Sequence, residues 1–254
     1  MTQLRVESLS KTFGGVHAVA GLSFEVARGA VHSVIGPNGA GKTTLLNLLT
    51  GIYVPSSGRI AFEGDDLTGR APHEFAARGI ARTFQNLQVF SNMSALENVM
   101  VGRYLHERCS LLAAMLRLPR VARAERECRE ESAELMRFVG LGTYLSAAAA
   151  ALPYGALKRL EIARALATRP KMALLDEPAA GLNPTETLAM DELIGRMAGL
   201  GITVVLVEHN MRLVMGVSDH ILVLDYGQKL AEGTAEAVRE DPRVIEAYLG
   251  AAER

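Results

Sequence analysis

A chain of 254 residues, 49% hydrophobic and 22% charged, is long enough to bury one sizeable core. Its formal net charge of −1 argues against bare nucleic acid as the main partner, because phosphate binding leaves a basic excess on a domain. Two cysteines, Cys109 and Cys128, exclude a disulfide framework and fit a reducing compartment.

The opening residues Met1 to Glu7 carry charge where a secretory leader needs an apolar stretch, so none is expected. The most apolar runs, 145–152 and 204–207, fall far short of the roughly 18–20 residues that span a bilayer. Leu22 to Val26 alternates apolar and polar residues and reads as a strand. A second strand, Val31 to Ile35, runs into a glycine-rich turn. From Thr43 to Leu49 the pattern is helical and stops at Gly51, and the turn cluster 53–58 leads to another β-like run, Arg59 to Phe62.

Between 94 and 157 the texture shifts to helix formers, which predicts an inserted helical unit. Leu111, Leu112, Met115, Leu116 and Leu118 have helical spacing before Pro119. Arg120 to Arg137 alternates charges, with Arg123–Glu127, Glu125–Arg129 and Arg126–Glu130 as helix neighbours of opposite sign on a solvated face. After Leu157 helices (158–167, 185–197) alternate with apolar runs (172–175, 202–207), as in βαβ units with buried parallel strands. Ile221 to Leu224 and Gln228 to Glu232 read as a hairpin about Asp225-Tyr226-Gly227. The economical description is one α/β body, residues 1–93 and 158–254, with a helical insertion, residues 94–157.

Gly36-Pro37-Asn38-Gly39-Ala40-Gly41-Lys42-Thr43 lies between a predicted strand and a predicted helix and matches the phosphate-binding P-loop pattern. Glycines let backbone N–H groups converge on phosphate oxygens. Lys42 is placed to reach the β and γ phosphates, and the Thr43 hydroxyl to ligate Mg²⁺. Leu174-Leu175-Asp176-Glu177 closes a buried strand with two carboxylates, the arrangement of a Walker B element: Asp176 suits the Mg²⁺ shell, and Glu177 suits a base for attacking water.

These residues resemble the ATPase subunits of ABC transporters, over nearly the whole chain. The resemblance implies a P-loop NTPase of the ABC ATPase fold, with a mainly parallel core sheet, an antiparallel β subdomain and an inserted α-helical subdomain. It also implies that Phe13 stacks on adenine and that Gly36 to Thr44, with Thr44 closing the set, hold ATP. By the same resemblance Gln85 senses Mg²⁺ and water, His209 meets the γ-phosphate, and Pro178 to Asn183 form the segment that communicates across a dimer.

The family's Leu-Ser-Gly-Gly-Gln signature is replaced here by Leu152-Pro153-Tyr154-Gly155-Ala156. Gly155 and the following helix are kept, while the serine hydroxyl and the glutamine amide are missing and Pro153 removes an N–H. The expectation is a weakened or asymmetric composite site.

The segments 160–166, 177–184, 207–211, 225–227 and 244–250 are similar to the branched-chain amino acid importer subfamily. That likeness implies ATP and Mg²⁺ as cofactors, transmembrane permease subunits, and a second ATPase subunit in a homodimer or, favoured, a heterodimer. It further implies a substrate-binding protein reached indirectly, no nucleic acid, and a peripheral place on the cytoplasmic face of a bacterial inner membrane. Importers of other amino acids, amides or urea, and ABC ATPases that move no solute, are the alternatives. A guanine-nucleotide enzyme is disfavoured because the chain has no Asn-Lys pair.

Overall fold

The computed structural model describes residues 1–106 and 119–249. The expected helical run Leu111 to Leu118 and Cys109 lie outside the described residues. In chain order the strands are β1 (Thr2–Phe13), β2 (Val16–Ala27), β3 (Val31–Ile35), β4 (Ser57–Phe62), β5 (Asp65–Asp66), β6 (Ile80–Arg82), β7 (Met172–Asp176), β8 (Thr203–Val207), β9 (His220–Asp225) and β10 (Gln228–Gly233). The helices are α1 (Lys42–Leu48), α2 (Pro72–Ala77), α3 (Ala95–Gly102), α4 (Pro119–Phe138), α5 (Tyr154–Ala167), α6 (Pro184–Gly199), α7 (Met211–Val217), α8 (Ala235–Glu240) and α9 (Pro242–Leu249). Two compact units result, one of Met1–Arg82 with Lys171–Arg254, the other of Thr83–Pro170.

The first unit contains both sheets. A four-stranded antiparallel sheet runs β2-β1-β4-β5, and a six-stranded sheet runs β10-β9-β3-β8-β7-β6. In the second sheet β9, β3, β8, β7 and β6 are parallel and β10 closes the edge antiparallel to β9. Strands β3, β7 and β8 are buried at every position; β7 and β8 accordingly read as near-continuous apolar runs, whereas β3 buries His32 and Ser33 as well. In β1, Leu4 and Val6 point inward. A bulge with Ser8 at φ 46° then shifts the register so that Leu9 also points inward. Helix α1 supplies Leu45, Leu46 and Leu48, and its C-cap Leu49, to one core cluster that also takes Leu4, Val6 and Phe62 from the antiparallel sheet and Leu174, Val205 and Leu222 from the parallel one.

The second unit is helical. Ser94 caps α3 with its hydroxyl on the Glu97 N–H, and the Glu97 carboxylate returns to the Ser94 N–H at 2.8 Å. Buried Asn98 accepts from the Phe90 N–H at 2.8 Å and donates to the carbonyls of Phe90 and Ser94. Gly102 ends α3 against α5, where an added Cβ would lie 2.2 Å from the Arg164 carbonyl oxygen. Glu131 of α4 receives Arg103 at 2.6 Å and Arg169 at 2.9 Å. Along α4, Glu125 and Arg129 approach to 3.9 Å, the loose contact of a solvated pair.

Candidate nucleotide site

The registers Val34↔Val207 and Asp176↔Val207 put the carboxyl ends of β3, β8 and β7 level with one another. The loop 36–41, the Asp176-Glu177 pair and His209 therefore leave the sheet along one edge, where ligands of open α/β sheets bind. Gly36 and Gly41 are required by close approach: at φ 152° and 100°, their Cβ atoms would lie 2.2 Å from the Leu224 carbonyl oxygen and 2.3 Å from that of Ala18. Gly39, at φ 83°, faces open space and is needed for its backbone angle alone. Ala40 is buried, Pro37 and Thr44 are half-buried, and Asn38 and Thr43 are exposed.

Helix α1 starts at Lys42 with no side-chain cap, which leaves its first N–H groups facing the loop. The Lys42 ammonium donates to the carbonyls of Gly36 at 2.7 Å and Pro37 at 3.0 Å, curled over the loop that a phosphate would fill. Burial pushes its pKa down, and the nearby carboxylates of Glu177 and Asp176 act in the opposite direction.

Asp176 ends β7 with its side chain 4% exposed and is paired to Arg82 of β6 at 2.9 Å. Glu177 follows at φ 48°, an unusual angle for a non-glycine residue, with its N–H donating to the Val207 carbonyl at 2.8 Å. Exposed His209 stands with Nδ1 3.9 Å from the Glu177 carboxylate. Phe13, 42% exposed at the end of β1, meets Tyr53 edge-on at 5.2 Å with Lys11 above its ring at 5.0 Å. A cavity of about 660 Å³ opens beside the loop 36–40 and His209 and reaches Tyr226 and the α9 residues Glu246 to Tyr248. Burial raises the Tyr248 phenol to about 12, against a hydrogen bond with the Gly36 backbone.

In the helical unit Gln85 is exposed, and its carbonyl accepts from Lys158 at 3.2 Å. The Gln88 N–H donates to buried Glu161 at 2.7 Å. Pro153 is the N-cap of α5, so the helix begins at Tyr154, four residues before its expected start. The N–H that Pro153 lacks belongs to no bond inside that helix, while its carbonyl accepts from Ala156 at 2.9 Å. Gly155 is buried in the first turn and Tyr154 is exposed.

Sequence reasoning missed Arg82, Tyr53 and the contacts of Glu208. Arg82 and Tyr53 carry no local signal because their partners are distant in the chain, and the bond from Glu208 to Ala179 spans 29 residues.

A family described as ABC transporter matches residues 19–180. The chain is 46% identical, over 98% of both chains, to the high-affinity branched-chain amino acid transport ATP-binding protein BraF of Pseudomonas aeruginosa. The chain belongs to the ABC transporter ATP-binding cassettes. It is likewise 43% identical to LivG of Salmonella typhimurium, a protein described in the same words, over 98% of both. A family described as Branched-chain amino acid ATP-binding cassette transporter matches residues 228–254. An ATP-binding cassette of an ABC transporter solved in its ADP conformation superposes with a TM-score of 0.86 at 36% identity, covering 98% of this chain and 99% of that one. The cassette is thus an ATPase of a transporter, and no helix among the described residues is long and apolar enough to cross a membrane.

Proposed function

We propose that this cassette hydrolyses MgATP at the cytoplasmic face of a bacterial membrane and so drives branched-chain amino acid uptake through transmembrane permease subunits, with a binding protein delivering the solute. The observation that carries the reading is the meeting of Lys42, Asp176, Glu177 and His209 at one edge of the parallel sheet. The names of the Pseudomonas and Salmonella relatives support the solute class.

Phe13, backed by Tyr53, offers a face to adenine. The Lys42 ammonium exchanges the Gly36 and Pro37 carbonyls for β- and γ-phosphate oxygens, joined by the backbone N–H groups of residues 38–44. The Thr43 hydroxyl and the Asp176 carboxylate are oxygen donors, and the family resemblance adds the Gln85 side-chain oxygen as a third. One carboxylate and neutral oxygens suit a small hard cation, and so fit Mg²⁺ arriving with nucleotide. When bound, Mg²⁺ neutralises phosphate charge.

Glu177 takes a proton from water as its oxygen attacks the γ-phosphorus and the bond to the β-phosphate oxygen breaks. His209 donates to the γ-phosphate, and Gln85 orients the water. Gly155, at the head of α5, serves a nucleotide held by a second cassette, in a heterodimer with an unlike partner. The variant signature makes the composite site it completes the weaker of the two.

The test is reconstitution of the cassette with its membrane subunits and binding protein, followed by uptake of leucine, isoleucine and valine against other amino acids, amides and urea. Uptake confined to the branched-chain solutes is expected, and uptake of another class would replace that assignment. Glu177→Gln should trap bound ATP unhydrolysed, Lys42→Ala should abolish nucleotide binding, and wild-type turnover in either would remove the role given to that residue.

A further inference from the structure

Glu208 has a side chain with no exposure to solvent, one residue before His209. One carboxylate oxygen accepts from the Ala179 N–H at 2.8 Å, 29 residues away in sequence. The other accepts from the N–H groups of His209 at 3.0 Å and Asn210 at 3.2 Å. A buried carboxylate thus binds the backbone of two loops at once, the segment that follows Glu177 and the segment that carries His209. The Glu177 N–H on the Val207 carbonyl at 2.8 Å makes a second tie between the same loops. Between these two ties Glu177 is held at φ 48°, and its carboxylate faces the His209 ring at 3.9 Å.

We propose that Glu208 is a positioning residue for hydrolysis: it fixes the Glu177 loop and the His209 loop to each other, so that both side chains meet one γ-phosphate. The inference rests on the roles proposed for Glu177 and His209. Three backbone N–H donors on two loops call for acceptors on both arms of the side chain, which a carboxylate supplies and an amide does not. Glutamine in its place keeps the shape and turns an NH₂ toward backbone donors on one of the two loops. The bonds of Glu208 run to the backbone of Ala179, His209 and Asn210 and not to the P-loop or Phe13, so ATP affinity is spared while the chemical step is not.

The test uses the full chain in the assembled transporter, with MgATP turnover and binding measured for Glu208→Gln, His209→Ala and the double variant. Glu208→Gln should lower kcat roughly tenfold or more while KM for MgATP stays within about twofold. Because Glu208 acts by setting the His209 loop against the Glu177 loop, its loss should cost clearly less in the His209→Ala background than in the wild type. Wild-type kcat in Glu208→Gln, losses that multiply in the double variant, or a raised KM at unchanged kcat would each overturn the proposal. If Glu208→Gln does not fold, Glu208→Asp, which keeps both oxygens on a shorter arm, is read by the same criteria. Undiminished turnover in Glu177→Gln and His209→Ala would instead overturn the reading on which the proposal rests.

Discussion

Arg82 and Asp176 form an ion pair at 2.9 Å with side chains only 6% and 4% exposed, at the carboxyl ends of neighbouring parallel strands. The same guanidinium donates to Asn47 Oδ1 at 2.6 Å and approaches Thr50 Oγ1 at 3.4 Å, which ties α1 to the strand that ends in Asp176. Removing the cation leaves a buried carboxylate without that countercharge, so Arg82→Ala should cost about 3 kcal/mol of stability. Urea unfolding near neutral pH measures it. Arg82→Lys keeps the charge but loses the forked reach to Asn47 and should fall between the two. A loss below about 0.5 kcal/mol for Arg82→Ala would place the pair among the weak surface contacts.

The P-loop, the Asp176-Glu177 pair and the terminal hairpin were legible in the sequence because each is a local pattern: glycine spacing, a buried run ending in acid, and a turn between two β-like runs. Strand β1 was not legible as a strand, since its bulge at Ser8 breaks the alternation that periodicity detects. Helix α5 starts four residues before the expected 158, with Pro153 at its cap, where no donor is needed. Arg82 stayed invisible for a different reason. Asn47, Thr50 and Asp176, which its guanidinium reaches, lie 35, 32 and 94 residues away, and nothing around Ile80-Ala81-Arg82 announces them.

Phe13 presents an exposed ring whose edge is held by Tyr53. Stacking of a base on an aromatic ring contributes about 1–3 kcal/mol. Phe13→Ala should therefore weaken MgATP binding roughly tenfold, with Phe13→Tyr close to wild type and the thermal midpoint of both nearly unchanged. A fluorescent ATP analogue displaced by MgATP gives the dissociation constants. Equal affinity in Phe13→Ala would assign the ring to packing against Tyr53 and Lys11 instead.

Gly102 tests the helical unit. An alanine methyl there would sit 2.2 Å from the Arg164 carbonyl oxygen and 2.9 Å from the Ala167 Cβ, so α3 and α5 must separate to admit it. Overpacking of this kind costs about 1–3 kcal/mol. The urea midpoint of Gly102→Ala should fall accordingly, whereas Gly195→Ala, whose Cβ meets nothing within 4 Å, should leave it in place or raise it slightly. Equal midpoints for the two variants would mean that α3 does not approach α5 as closely as described.

His32 gives the pH dependence its sign. It is the second residue of β3, 1% exposed, with rings of Phe24 at 5.7 Å and His220 at 5.3 Å and with no hydrogen-bond partner for its Nε2 among the described residues. Burial first, then the charge of His220, lower its pKa to about 4, while Glu232, paired with His220 at 3.3 Å, acts in the opposite direction. Above pH 6.5 the imidazole is neutral in folded and unfolded chains alike and contributes no slope. As the pH falls from 6.5 toward 4 the unfolded chain takes up a proton that the folded chain refuses, so stability declines across that window and the contribution levels off below it. At pH 5 the loss from this one group amounts to about 2 kcal/mol. His32→Phe keeps a ring between Phe24 and His220 and removes the titration. Urea unfolding at pH 7.5 and pH 5 should show the wild-type chain losing about 2 kcal/mol more than this variant between the two conditions. Parallel losses in the two proteins would mean that His32 accepts its proton in the folded state as readily as in the unfolded one.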